Sequence, residues 1–240
     1  MATRNYDEIQ ADYIREFGEK DGLLVQRLTN SVSQLTLQWR MFLFFYCGPR
    51  ERVEVLNEAS GLTAKTIQNL VWDNSILTVR RLTDRETTSG DTNVSLAHLP
   101  RIAQEKGCDG FEAYYEDVLS ACKTTRKYAT KYIAHSDYNH AVGKKEALTN
   151  RGETTNAIRE IMKFVELFHE EVRGVQYRLV PMTTVRDEQQ FLQRLFLGNI
   201  RSADAKAERI KRARSGDWAA LKETDFPDWL SDYEFRDNPF

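Results

Sequence analysis

Gly48-Pro49-Arg50-Glu51-Arg52-Val53-Glu54-Val55-Leu56 opens a run of the 240-residue chain that reaches Pro100 with no further proline. Proline suits the first turn of a helix, where its missing N–H is not needed, and is excluded from a helix interior. Apolar residues then recur at Leu56, Ala59, Ile67, Leu70 and Leu77. That three-and-four spacing predicts one helix over about residues 49–83 with a single buried face. The Thr-, Ser- and Gly-rich stretch 84–93 reads as a loop, and 95–105 as a short helix broken by Pro100 and ended by Gly107 and Gly110.

The same periodicity extends in both directions. Phe111, Tyr115, Val118, Cys122, Ala129 and Ile133 form one stripe, predicting a helix that runs to His135 or Ser136. A loop over 143–152 leads to a further helix over 155–172, with Ile158, Ile161, Val165, Phe168 and Val172 in register. Upstream, residues 6–46 read as one or two helices with a break at 18–22. The expectation is an all-α four- to five-helix bundle over 1–180. Residues 181–240 form a C-terminal extension. Within it Thr184 and Asp187 have capping-box spacing before an amphipathic helix bearing Phe191, Leu192, Leu195 and Phe196.

Composition narrows the class. With 41% hydrophobic and 29% charged residues and a mean hydropathy of -0.58, the chain reads as a soluble globular protein. No apolar run approaches the ~20 residues of a membrane helix, and Met41-Phe42-Leu43-Phe44-Phe45-Tyr46-Cys47 reads as core. The polar start argues against export, so a cytoplasmic location is expected. Cys47, Cys108 and Cys122 lie far apart, without the spacing of a disulfide framework or a zinc site. The formal charge of -2 excludes a globally basic nucleic-acid binder.

Charge is nevertheless uneven. Residues 201–214 carry six basic residues against two acidic ones, and residues 217–240 carry seven acidic against two basic, interleaved with Trp218, Phe226, Trp229, Tyr233, Phe235 and Phe240. Arg209 and Arg212 of the basic run are candidate nucleic-acid contacts, since Lys and Arg displace the counterions of a phosphate backbone. The same run also reads as a solvated helix face neutralised by the acidic stretch beside it. The 184–240 extension is the candidate surface for a protein partner.

The most informative local sequence is Arg126-Lys127-Tyr128-Ala129-Thr130-Lys131-Tyr132-Ile133-Ala134-His135-Ser136-Asp137. With Trp39, Arg81-Leu82-Thr83-Asp84 and Asn93-Val94-Ser95-Leu96, it resembles the abortive-infection, AbiU-type branch of the HEPN superfamily over about residues 35–138. The resemblance implies a helical bundle that commonly dimerises. It also implies the setting of a phage-defence or toxin-type effector, often a metal-independent ribonuclease carrying Arg-Asn-Lys-x-x-Ala-His. Lys131, Ala134 and His135 match that signature, whereas Ala129 and Thr130 stand at the Arg and Asn positions.

Chemistry of that kind needs a cation against the scissile phosphate and a histidine able to move a proton. His135 is the candidate catalytic histidine and Lys131 the candidate cation. At 100° per residue, Lys127 and Lys131 share the His135 face as a nucleic-acid-binding strip, while Arg126 falls half a turn away. Two functions follow: a degenerate module binding RNA, a nucleotide or a protein partner, or a metal-independent ribonuclease using His135 with Lys131 or Lys127 in place of the missing Arg. His135 also reads as a helix-end residue partnered by Asp137, and Arg80, Arg81 and Asp84 as site-lining charges or an ion-paired helix end. His135, Asp137 and His140 lack the i, i+4 spacing of a metal pair, so neither metal nor cofactor is expected.

Overall fold

The computed structural model describes residues 5–133, 149–179 and 187–224. The chain is all-α, with helices α1 (Tyr6–Phe17), α2 (Glu19–Tyr46), α3 (Arg50–Leu82), α4 (His98–Glu105), α5 (Phe111–Tyr128), α6 (Arg151–Arg173) and α7 (Asp187–Arg214). A π-helical turn, Ala129–Ile133, continues α5, and a 3-10 turn, Trp218–Lys222, follows α7. Helices α2, α3, α5 and α6 form the bundle. Val25, Leu28, Val32, Leu35 and Trp39 of α2 meet Val79 and Leu82 of α3, Phe111, Val118 and Cys122 of α5, and Ile158, Ile161, Val165 and Phe168 of α6 in one core.

The break between α1 and α2 falls at Gly18, whose φ of 79° lies in the left-handed region. Four residues on, Gly22 packs against α1 so closely that a Cβ would sit 2.5 Å from the Tyr13 carbonyl oxygen. Helix α6 starts earlier than its apolar stripe predicts, because Asn150 and Glu153 form a reciprocal capping box. Arg101 of α4 forks onto Asp21 of α2 at 2.9 and 3.2 Å, tying α4 to the bundle.

Three expectations are corrected. The single buried face of α3 does not run its length: Leu56 is buried, but Ile67 and Leu70 are 44% and 63% exposed. Ser60, with φ -171° and ψ 98°, interrupts the helix. A helical wheel drawn across a non-helical residue misassigns everything beyond it, and the buried face re-forms through Ala64, Ile76, Val79 and Leu82. Pro100 does not break α4. It is the third helical residue, where the backbone N–H has no intrahelical partner to lose. The segment 84–93 is not simply loop: β1 (Thr87–Thr88) and β2 (Asp91–Thr92) pair antiparallel. Ser89 and Gly90, with φ of 53° and 93°, form the two-residue turn between them.

Helix α7 docks on α2 and α3. Phe191 meets Phe45 edge-on with centroids 5.7 Å apart, Glu188 pairs with Arg40 at 3.0 Å, and the Asn199 amide donates to the Val55 carbonyl at 2.9 Å. The Thr184 cap expected for this helix lies outside the described residues. Among the described residues no helix is long and apolar enough to cross a membrane.

Candidate functional site

Arg80, Asp84, Arg126, Lys127, Thr130 and Lys131 line a cavity of about 340 Å3 where the end of α3 meets the end of α5. Arg80 sits on the last turn of α3, and Asp84 follows two residues after its end. The hairpin holds Asp84 in place. The Ser95 hydroxyl donates to the Asp84 carbonyl, and the Leu96 N–H donates to the Leu82 carbonyl at 2.8 Å. The Asn93 amide donates to the Arg85 carbonyl and the Thr88 hydroxyl, both at 2.8 Å. Asn93 and Ser95 are therefore the clamps that return the chain to the end of α3.

On the other wall, Arg126 and Lys127 end α5 while Thr130 and Lys131 lie on the π turn. The Arg126 guanidinium lies 3.8 Å from Asp84. Its Nε, buried, has no hydrogen-bond partner among the described residues. A π turn closes i→i+5 bonds and so brings residues five apart over one another. Arg126 shares the cavity with Lys127, Thr130 and Lys131, and its placement relative to His135 lies outside the described residues. Four cations and one carboxylate line the cavity, an excess of positive charge that attracts an anion, which Arg can grip through its planar fork.

Ala129, at the signature's arginine position, is fully buried. A guanidinium attached at a buried position costs several kcal/mol unless a partner meets it. His135, Asp137 and His140 lie outside the described residues. Arg81 points instead into a neighbouring groove between α2 and α3.

The two candidate contacts of the basic run differ in setting. Arg212 is held by two carboxylates, donating to Asp217 at 2.6 and 3.0 Å and to Glu223 at 2.6 and 2.8 Å. Those bonds push its pKa further upward and fold the 3-10 turn back onto α7. Arg209 lies one turn earlier on the same helix, at a distance in sequence from every lining residue of the basic cavity.

One histidine escaped the sequence reading. His169 is fully buried in α6, accepting at Nδ1 from Arg173 at 3.3 Å, with Nε2 2.9 Å from the Thr29 hydroxyl. Because Arg can only donate, Nδ1 is bare and the ring is neutral with its proton on Nε2. Burial, assisted by the Arg173 charge, pushes its pKa down to about 3. Stacked on Tyr177 and enclosed by Tyr13 and Phe168, it is a core histidine with its hydrogen bonds met. Burial likewise pushes the Cys122 thiol up to about 12, which makes it a poor nucleophile. Among the described residues no group of three or more His, Cys, Asp or Glu could hold a metal ion.

The helical bundle is the architecture of a HEPN-type module. The family model HEPN_AbiU2, described as AbiU2, matches residues 19–191, well over half of the chain. The chain belongs to this family. Comparison with curated proteins and with solved structures found no match.

Proposed function

We propose that this HEPN module serves a phage-defence or toxin-type system by binding the phosphate groups of RNA or of a nucleotide in the Arg80–Arg126–Lys127–Lys131 cavity. The four cations that line one cavity with the single carboxylate of Asp84 carry the reading. The buried Ala129 supports binding without cleavage, because the cation that the family's signature supplies from that position is absent. Substituting Arg126 and Lys131 together by Ala should weaken binding of a labelled RNA at least tenfold in fluorescence anisotropy. Unchanged affinity would remove the cavity from the function.

The presence of Arg126 in the cavity favours one second reading, a metal-independent ribonuclease. Arg126 sits beside Lys131 and so offers a guanidinium on the helix that leads toward His135, in addition to the Lys131 or Lys127 that the sequence suggests. In that reading His135 moves the proton. RNA incubated without added metal would be cut by the wild-type protein and left intact by His135→Ala. RNA left intact by both proteins would leave the binding reading standing. Both readings take the protein as a homodimer. The exposed Leu62, Ile67 and Leu70 of α3 beyond Ser60 support this, and sedimentation of the purified chain tests it.

A further inference from the structure

Beside the basic cavity, α2 and α3 enclose a second depression of about 460 Å3. Its α2 wall presents Arg27, Asn30, Ser31, Gln34 and Gln38, at spacings of three, one, three and four that keep them on one helical face. Its α3 wall presents Asn74, Thr78 and Arg81, and Leu35, Leu82 and Val94 complete the lining. In a chain with 36 acidic residues, no Asp or Glu lines this groove. The Asn74 amide donates to the Gln38 carbonyl oxygen at 2.8 Å, bridging the walls and leaving further donor and acceptor capacity on both amides. Arg80 and Arg81 are consecutive on the last turn of α3, Arg80 lining the cavity and Arg81 the groove. The two sites therefore flank one helix end.

From these observations we propose that the α2–α3 groove is a reading subsite for a single RNA strand whose phosphate is gripped in the basic cavity. The inference rests on the phosphate-binding reading above and sets the ligand as an oligonucleotide, not a mononucleotide. Arg27 and Arg81, on facing walls at the end of the groove away from the Gln38–Asn74 bridge, pair with backbone phosphates. The amides of Asn30, Gln34, Gln38 and Asn74 supply the paired donors and acceptors that base edges and 2′-hydroxyls require. Residues 27–38 span roughly 16 Å of α2 at about 1.5 Å per residue, longer than one nucleotide needs. No aromatic ring lines the groove, so recognition proceeds through hydrogen bonds at base edges, and base identity affects affinity.

The test uses the full chain with fluorescein-labelled uridine monophosphate and oligoribonucleotides of two to eight residues and varied base, with light scattering on the same samples. Affinity of the wild-type protein should rise at least tenfold from the mononucleotide to the longer strands. The variant Arg27→Ala/Asn30→Ala/Gln34→Ala, altered only at exposed positions, should keep mononucleotide affinity and lose that rise. An affinity independent of length, with mononucleotide binding still abolished by Arg126→Ala/Lys131→Ala, would overturn the groove and leave the cavity reading intact. Binding of no ligand would overturn both. A triple variant that keeps the length dependence but shifts the oligomeric state would overturn the proposal, and assign the groove to contact between copies of the chain.

Discussion

At the residue scale the consequential positions are those where chemistry and burial disagree with expectation. Ala129 is legible in the sequence as a departure from the family signature. Its reason is not, because only packing reveals that the position faces the core. His169 was invisible because a lone histidine among apolar residues carries no spacing signal. Its depressed pKa has a calculable consequence. The unfolded chain takes up a proton at this ring near the ordinary value of 6.5 while the folded protein holds it neutral to about 3. Stability from this ring is therefore fully present above about pH 6.5 and lost progressively as pH falls toward 3. In urea titrations, His169→Gln should flatten the pH dependence of stability between about 6.5 and 4. A slope identical to that of the wild type would contradict the assignment.

At the element scale, periodicity located the helices and failed wherever the backbone leaves the 100° rule. Helix α6 matched its stripe, and α5 did so as far as Tyr128, beyond which Ala129 and Ile133 fall on the π turn. Helix α3 did not, since Ser60 resets its phase. The capping box at Asn150 and Glu153 is legible in the sequence and starts α6 ahead of its apolar stripe. Close approach of backbones leaves no sequence signal beyond the glycine itself, and Gly22 is the case that can be tested. A Gly→Ala change inside a helix ordinarily adds up to about 1 kcal/mol of stability. Here the new Cβ would collide with the backbone of Tyr13, which cannot rotate away. Gly22→Ala should instead destabilise by about 1–3 kcal/mol in equilibrium unfolding, the range typical of overpacked contacts. A stabilised variant would mean that α1 does not pack on α2 as described.

At the scale of the whole molecule, two basic regions compete for the role of nucleic-acid interface. The C-terminal run is the more conspicuous in sequence, yet Arg212 is already bonded to Asp217 and Glu223. The cavity between α3 and α5 is assembled from residues 80 and 126–131, which no linear charge count would group. A chain with a net charge of -2 binds a polyanion only where such local excess is concentrated, so the salt dependence of affinity reports which region acts. Each phosphate neutralised on a single strand contributes about -0.7 to the slope of log affinity against log salt. Binding confined to the cavity and its four cations should give a slope no steeper than about -3. Arg126→Ala should make the slope shallower by about 0.7, the contribution of one lost phosphate contact. Arg212→Ala should leave slope and affinity unchanged while loosening the 3-10 turn from α7, read as earlier proteolysis after Arg214. A slope well beyond -3 that falls in Arg212→Ala and not in Arg126→Ala would transfer the interface to the C-terminal helix. The ion pairs of Arg212 would then open on binding, and the carboxylates of Asp217 and Glu223 would act as competitors of the nucleic acid.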